Sequence, residues 1–237
     1  MIAASLSYLR DSDDAIKTTA IGGVLLLLSP LLIPVFIVLG YVMRVLRRTA
    51  DGHDEPPAFD EWGDLLIDGL KAFLIMFVYS VLPLAVLAIV GLFGVGAALI
   101  GAGDSALAGL LSGTLVVVLA LLAFVVSVAG VYVTPAALSN YAETDRVSSG
   151  FAFETIWNAI TTKAYAIGWL YAFAVILAGS IAIAILSVVP VIGTIAGFFV
   201  QFYAIVAAYY IIGHAWADVR SVAAESEDVD LAERPTV

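Results

Sequence analysis

A chain of 237 residues that is 62% hydrophobic and 13% charged, with a mean hydropathy of +1.07, lies well outside the range of soluble domains. Its net charge of -10 and pI near 4.4 exclude nucleic acid and anionic lipid as electrostatic partners and suit a protein bathed in concentrated salt. The absence of cysteine excludes disulfides, thiolate catalysis and Cys-based metal centres.

The segment MIAASLSYLRDSDD lacks a basic start followed by an apolar run and a cleavage site, so no removable signal peptide is expected. Next comes AIKTTAIGGVLLLLSPLLIPVFIVLGYVMRVLRR, residues 15–48. Pro30 and Pro34 remove backbone donors there and bias Ser29 and Ile33 away from the helical basin. The arms on either side, 18–29 and 31–44, each have about two-thirds of the length of a crossing.

All ten Lys and Arg residues fall in four charged segments, 1–17, 44–71, 143–163 and 218–237. The connections GLFGVGAALIGAGDSALAG and SVVPVIG contain neither. The positive-inside rule puts the four segments together on the cytoplasmic side, with both termini. Residues 15–48 must then return to their starting side as a short re-entrant hairpin turning at SPLLIP. A single Pro-kinked crossing is the alternative, and it puts the N-terminus outside.

Over residues 59–70 the sequence predicts an amphipathic helix lying in the membrane interface. Asp60, Asp64 and Asp68 fall at i, i+4 and i+8, and Phe59, Trp62, Leu66 and Leu70 on another face. Arg44, Arg47 and Arg48 lie on one side of the preceding helix end and can pair with this acidic face. Exposed pairs of that kind are worth about 0–1 kcal/mol each. These six residues, Arg44, Arg47, Arg48, Asp60, Asp64 and Asp68, form the candidate interaction surface for a membrane-protein partner.

Uncharged runs then predict four transmembrane helices over 72–100, 107–138, 164–189 and 191–216, with kinks at Pro83 and Pro135. Asp104 is the one Asp, Glu, Lys, Arg or His side chain between Lys71 and Glu143. GLFGVG (91–96) follows no strand, so it reads as a mobile helix end rather than a dinucleotide fingerprint. A second interfacial helix is predicted over 150–162, where Glu154 and Asn158 are spaced to form a packing hydrogen bond. Ala174, Ala178 and Ala182, with Gly168 and Ala172 offset from them, predict a close-packing stripe. Gln201, mid-way along the last crossing, is the candidate intramembrane polar site and is expected to bond to a neighbouring helix. The tail from Ser221, acidic and without apolar periodicity, is expected to be disordered, leaving residues 1–220 as one membrane domain.

Catalytic patterns are missing: His53 and His214 have no carboxylate at metal-ligand spacing, and neither H-E-x-x-H nor G-x-S-x-G occurs. The sequence therefore predicts no catalytic residue, cofactor or metal site, and His214 reads as a cation at the end of the last helix. A weak repeat aligns FDEWGDLLIDGLKAFLI (59–75) with FAFETIWNAITTKAYAI (151–167), lysine over lysine, and Lys17 sits similarly before the first apolar run. The implied unit is an interfacial helix, a lysine and a helical hairpin, used three times with the first hairpin truncated.

The stretches GYVMRVLRRTADGHDEPPAFDEWGDLLIDGLKAFLI (40–75) and VPVIGTIAGFFVQFYAIVAAYYIIGHAWAD (189–218) resemble the archaeal membrane family catalogued as domain of unknown function 4013, in its salt-loving members especially. The resemblance runs from about Leu9 to Asp218. It implies an all-α, polytopic helical membrane protein and no assigned activity. The expectation is a non-catalytic role in membrane organisation or assembly, with the lipid bilayer as surroundings and no nucleic acid. The alternative is passage of a small neutral or lipidic substrate, for which an uncharged interior suffices.

Overall fold

The computed structural model describes residues 1–12, 14–101 and 106–233, so Asp104 lies outside the described residues. The described chain is helical and carries no strand. In chain order it forms α1 (Ile2–Arg10), α2 (Ala15–Leu27), a 3-10 turn (Ser29–Leu31), α3 (Ile33–Ala50), α4 (Trp62–Gly101) and α5 (Ala106–Thr144). A second 3-10 turn (Val147–Phe151) leads to α6 (Phe153–Ile160), α7 (Lys163–Leu186) and α8 (Ile192–Glu233). Four of these, α4, α5, α7 and α8, are long and apolar enough to cross a membrane.

Local chemistry explains the boundaries. Pro30 and Pro34 divide the first apolar stretch, because neither can donate to a continuous helix there. At the far end of α3, Gly52 takes φ +81°, and the amides of Gly52 and His53 donate to the carbonyls of Thr49 and Arg48 at 3.0 and 2.9 Å. Those two bonds are a Schellman stop, which needs a residue free to adopt the left-handed conformation. α7 opens with Thr162, whose side chain accepts from the Tyr165 amide at 3.2 Å.

The chain divides into two compact units, Met1–Phe73 with Pro135–Val237, and Leu74–Thr134. In the first, α8 is the hub, packing against α1, α2, α3 and α7, while α2 and α3 also pack on each other. Half of its membrane-length window is buried, against 11% for α7. Burial at its centre is large and aromatic: Phe202 and Tyr41 are fully enclosed, with ring centroids 5.6 Å apart. The smaller unit is made of the adjoining parts of α4 and α5, and α5 approaches Pro83 of α4 at Gly130. Pro83 and Pro135 both lie inside their helices.

Several sequence expectations need correction. The helix foreseen over 59–70 is not a separate element: residues 56–61 are non-helical, and α4 begins at Trp62 and continues without a break. Nothing near Lys71 stops a helix, so the polar entrance and the apolar span propagate as one. GLFGVG is likewise interior to α4. In α7 the packed face is Gly168, Ala172, Val175 and Gly179, with Gly168 against Ala215 and Gly179 against Ala204; Ala174 and Ala178 face outward. Glycine lets two backbones approach more closely than alanine, and the offset residues set the face. The described backbone of α8 runs as helix as far as Glu233.

Candidate functional site

The polar chemistry of the first unit concentrates where α3, α4, α5 and α8 carry their charged residues. Arg47 and Arg48 fall in the last turn of α3, where positive charge complements the helix dipole, and Arg44 lies one turn earlier. Arg44 pairs with Asp60, lies 3.3 Å from Glu61 Oε2 and donates to the Ala58 carbonyl. Arg47 reaches three partners: Asp68 at 3.4 Å, Asp145 at 3.0 Å and the Ala142 carbonyl at 2.9 Å. Asp68, only 17% exposed, also accepts from the Tyr141 hydroxyl at 3.2 Å and lies 3.7 Å from Lys71 Nζ. Glu143 accepts from Trp216 Nε1 at 2.7 Å and from Arg220 at 2.9 Å, while Arg220 also donates to the Ala50 carbonyl. The ends of α3, α4, α5 and α8 are thereby cross-linked by charge-assisted bonds.

The loop over residues 52–61 is strapped to this end by buried phenols. Tyr8 donates to the Glu55 carbonyl at 3.3 Å and Tyr41 to the Pro57 carbonyl at 3.1 Å. Asp54 accepts from Tyr210 at 2.8 Å and faces His214 Nε2 at 3.3 Å. Phe59 stacks on Tyr41 with centroids 4.1 Å apart, which holds the loop's last turn over the core. Burial pushes both the Tyr8 and Tyr41 phenols above the ordinary tyrosine range, because the phenolate loses its hydration there.

Of the six residues in the candidate interaction surface, Arg44 with Asp60 and Arg47 with Asp68 are brought together as internal pairs. Arg48 makes no ion pair and Asp64 is exposed and unpaired among the described residues. Gln201 lines a groove of about 280 Å³ between α7 and α8 with Gly179, Ser180 and Ala204, and its amide has no hydrogen-bond partner among the described residues. The expected interhelical bond is therefore missing: the neighbours on α7 are apolar apart from Ser180, whose hydroxyl donates to the Ile176 carbonyl. Glu154 and Asn158 make no bond to each other either; both line a cavity of about 580 Å³ with Glu143 and Arg220. His214 is not an isolated terminal cation, since it contacts Asp54 and the Tyr210 carbonyl within α8. Among the described residues no group of three or more His, Asp or Glu could hold a metal ion.

Sequence reasoning missed Tyr8, Tyr41, Asp54, Glu143 and Arg220. The available signal was their position in the charged segments, where a tyrosine or tryptophan beside acid and base has a hydrogen-bonding use. Pairing across separations such as Ala50 with Arg220 needs the fold itself.

The profile of the family described as "Protein of unknown function (DUF4013)" matches residues 23–188, more than half of the chain. The chain belongs to this family. The match opens within α2 and closes just after α7, so Pro190–Gly193 and α8, which contributed to the sequence resemblance, lie outside it. No curated protein and no solved structure matches the chain.

Proposed function

We propose that this DUF4013 protein is a non-catalytic organiser or assembly subunit of the cell membrane, with its charged segments and both termini on the cytoplasmic side. One observation carries the reading: ion pairs join the ends of α3, α4, α5 and α8 at one end. Such cross-linking makes a stiff platform and uses up the charges that transport or catalysis would need free. Asp64 and Arg48 remain for a partner beside the clasp. The acidic balance supports a setting in concentrated salt.

In this reading α2 and α3 form the re-entrant hairpin. Leu31, Leu32 and Ile33 at its tip are 58–66% exposed, an arrangement suited to lipid and costly in water. The cysteine-free chain permits a direct test with single cysteines at Ser12 and His53 and a membrane-impermeant maleimide. Equal labelling from the cytoplasmic side alone is expected; labelling of the two from opposite sides refutes the hairpin. For assembly, gentle extraction is expected to co-purify a partner that Asp64→Lys with Arg48→Glu releases, and retention of that partner refutes the proposed surface.

The groove lined by Gln201 favours passage of a neutral or lipidic substrate as a second reading. A solute-selective liposome flux abolished by Gln201→Leu is its test.

A further inference from the structure

We propose that a cavity of about 550 Å³ between α1, the start of α2, the 52–61 loop and α8 binds an aliphatic amine carrying two or more ammonium groups. Four carboxylates line it: Asp11, Asp14, Asp54 and Glu55. Their neutralisation is partial and peripheral. Arg10 meets Asp11 at 2.9 Å and Lys17 meets Asp14 at 3.8 Å, both cations being largely exposed, while His214 faces Asp54. Glu55's carboxylate has no partner among the described residues.

An acidic lining alone would describe any solvated face of a protein with net charge -10. Two further features separate this cavity from such a face. Thr18, only 4% exposed, lines it, and its hydroxyl has no hydrogen-bond partner among the described residues. The hydroxyl is thus left open to the cavity as an acceptor that a ligand's ammonium group can engage. The packed rings of Tyr8 and Tyr210, with centroids 4.4 Å apart, also line the cavity and give an apolar wall for the methylene chain of such an amine.

Size and spacing select the ligand. The volume falls in the range of small-molecule sites, roughly 300–1,000 Å³, and far exceeds a single ion. No three of the acidic side chains converge closely enough for a metal among the described residues. Separated carboxylates fit separated positive charges on a flexible chain.

The test uses the full chain in nanodiscs of a phosphocholine lipid, titrated calorimetrically with spermidine, putrescine and butylamine at constant ionic strength. Expected are saturable one-to-one binding in that order of affinity and about tenfold weaker binding in Thr18→Val and in Glu55→Gln. Asp64→Asn, outside the cavity, is expected to bind as the parent does. Because the Glu55 carboxylate holds nothing in the fold, Glu55→Gln keeps the test readable should Thr18→Val fail to fold. Equal competition by magnesium or sodium chloride at the same ionic strength, or equal weakening in Asp64→Asn, overturns the proposal in favour of diffuse counterion binding. Loss of spermidine binding in nanodiscs containing phosphoethanolamine lipid overturns it in favour of a lipid headgroup amine.

Discussion

Gly40→Ala tests the closest helix crossing in the charged end. A Cβ on Gly40 would run into the Leu65 carbonyl of α4, and one on Gly69 would run into the Phe36 carbonyl of α3. Each glycine therefore faces the other helix's backbone, which cannot rotate aside as a side chain can. Overpacking costs about 1–3 kcal/mol, and a backbone obstacle belongs at the upper end, about 3. Alanine returns about 1 kcal/mol through its helix propensity, leaving about 2 kcal/mol of net destabilisation. For a chain of this size that lowers the melting midpoint by roughly 4–8 °C. The assay is thermal unfolding in detergent followed by size exclusion, with Gly69→Ala as the reciprocal variant. Gly63→Ala is the control: nothing lies within 4 Å of its added methyl, so that variant should be neutral or stabilised by up to about 1 kcal/mol. If Gly40→Ala melts at or above the parent while Gly63→Ala behaves as expected, the close crossing of α3 and α4 is refuted.

Arg47→Ala removes three bonds and leaves Asp68 with Tyr141 and Lys71, for an expected loss of about 1–2 kcal/mol after allowance for partial exposure; a double-mutant cycle with Asp68→Ala should recover a coupling near 1 kcal/mol that shrinks in high salt. Tyr8 and Tyr41 are held neutral by burial, so their folded pKa values exceed the unfolded value near 10. Their contribution is intact below about pH 10 and is lost above it at roughly 1.4 kcal/mol per pH unit for each, and Tyr8→Phe with Tyr41→Phe should flatten an alkaline melting series. Val191 has φ +64° at the centre of a γ-turn closed by Ile192 N–H on the Pro190 carbonyl at 2.7 Å. That conformation is strained for a β-branched residue, so Val191→Gly should raise the melting midpoint by up to about 1 kcal/mol equivalent, and a lower midpoint would contradict the turn.

The parts of this fold legible in the sequence are those set by strong, local free-energy terms. Uncharged runs of membrane length gave the four long helices, since placing Lys or Asp at mid-depth is costly. The Pro30 and Pro34 pair marked the division between α2 and α3, because a missing donor acts wherever it sits. Pairing of Arg44 and Arg47 with the aspartates downstream was legible from charge and proximity in the chain. Less legible was anything settled by choice between similar options. Ala174 and Gly168 are both small, and only the approach of α8 decides which of them packs. The start of α4 could be read at Phe59 because its amphipathic spacing begins there, yet Phe59 stacks on Tyr41 from outside the helix. Gln201 has the chemistry to bond a neighbour, but α7 presents apolar side chains and an already occupied serine opposite it.

The two chain reversals away from the charged end share one local design. α2 passes to α3 through Ser29–Leu31, and α7 passes to α8 through 187–191; each begins at a serine and ends with an apolar residue at φ +64°, Leu32 and Val191. Both tips leave large apolar side chains exposed, including Leu31, Leu32, Val188 and Val191 at 66% or more. In water, glycine or asparagine would occupy such positions, because they tolerate positive φ and solvate well. Apolar residues there trade backbone strain for an apolar surface, an exchange that helps only where the surroundings are hydrocarbon or another protein. Replacing Leu31 and Leu32 with serine and asparagine should therefore ease the turn while weakening extraction-resistant membrane association. If such a variant remains as firmly embedded as the parent, the tip of the first hairpin lies in water.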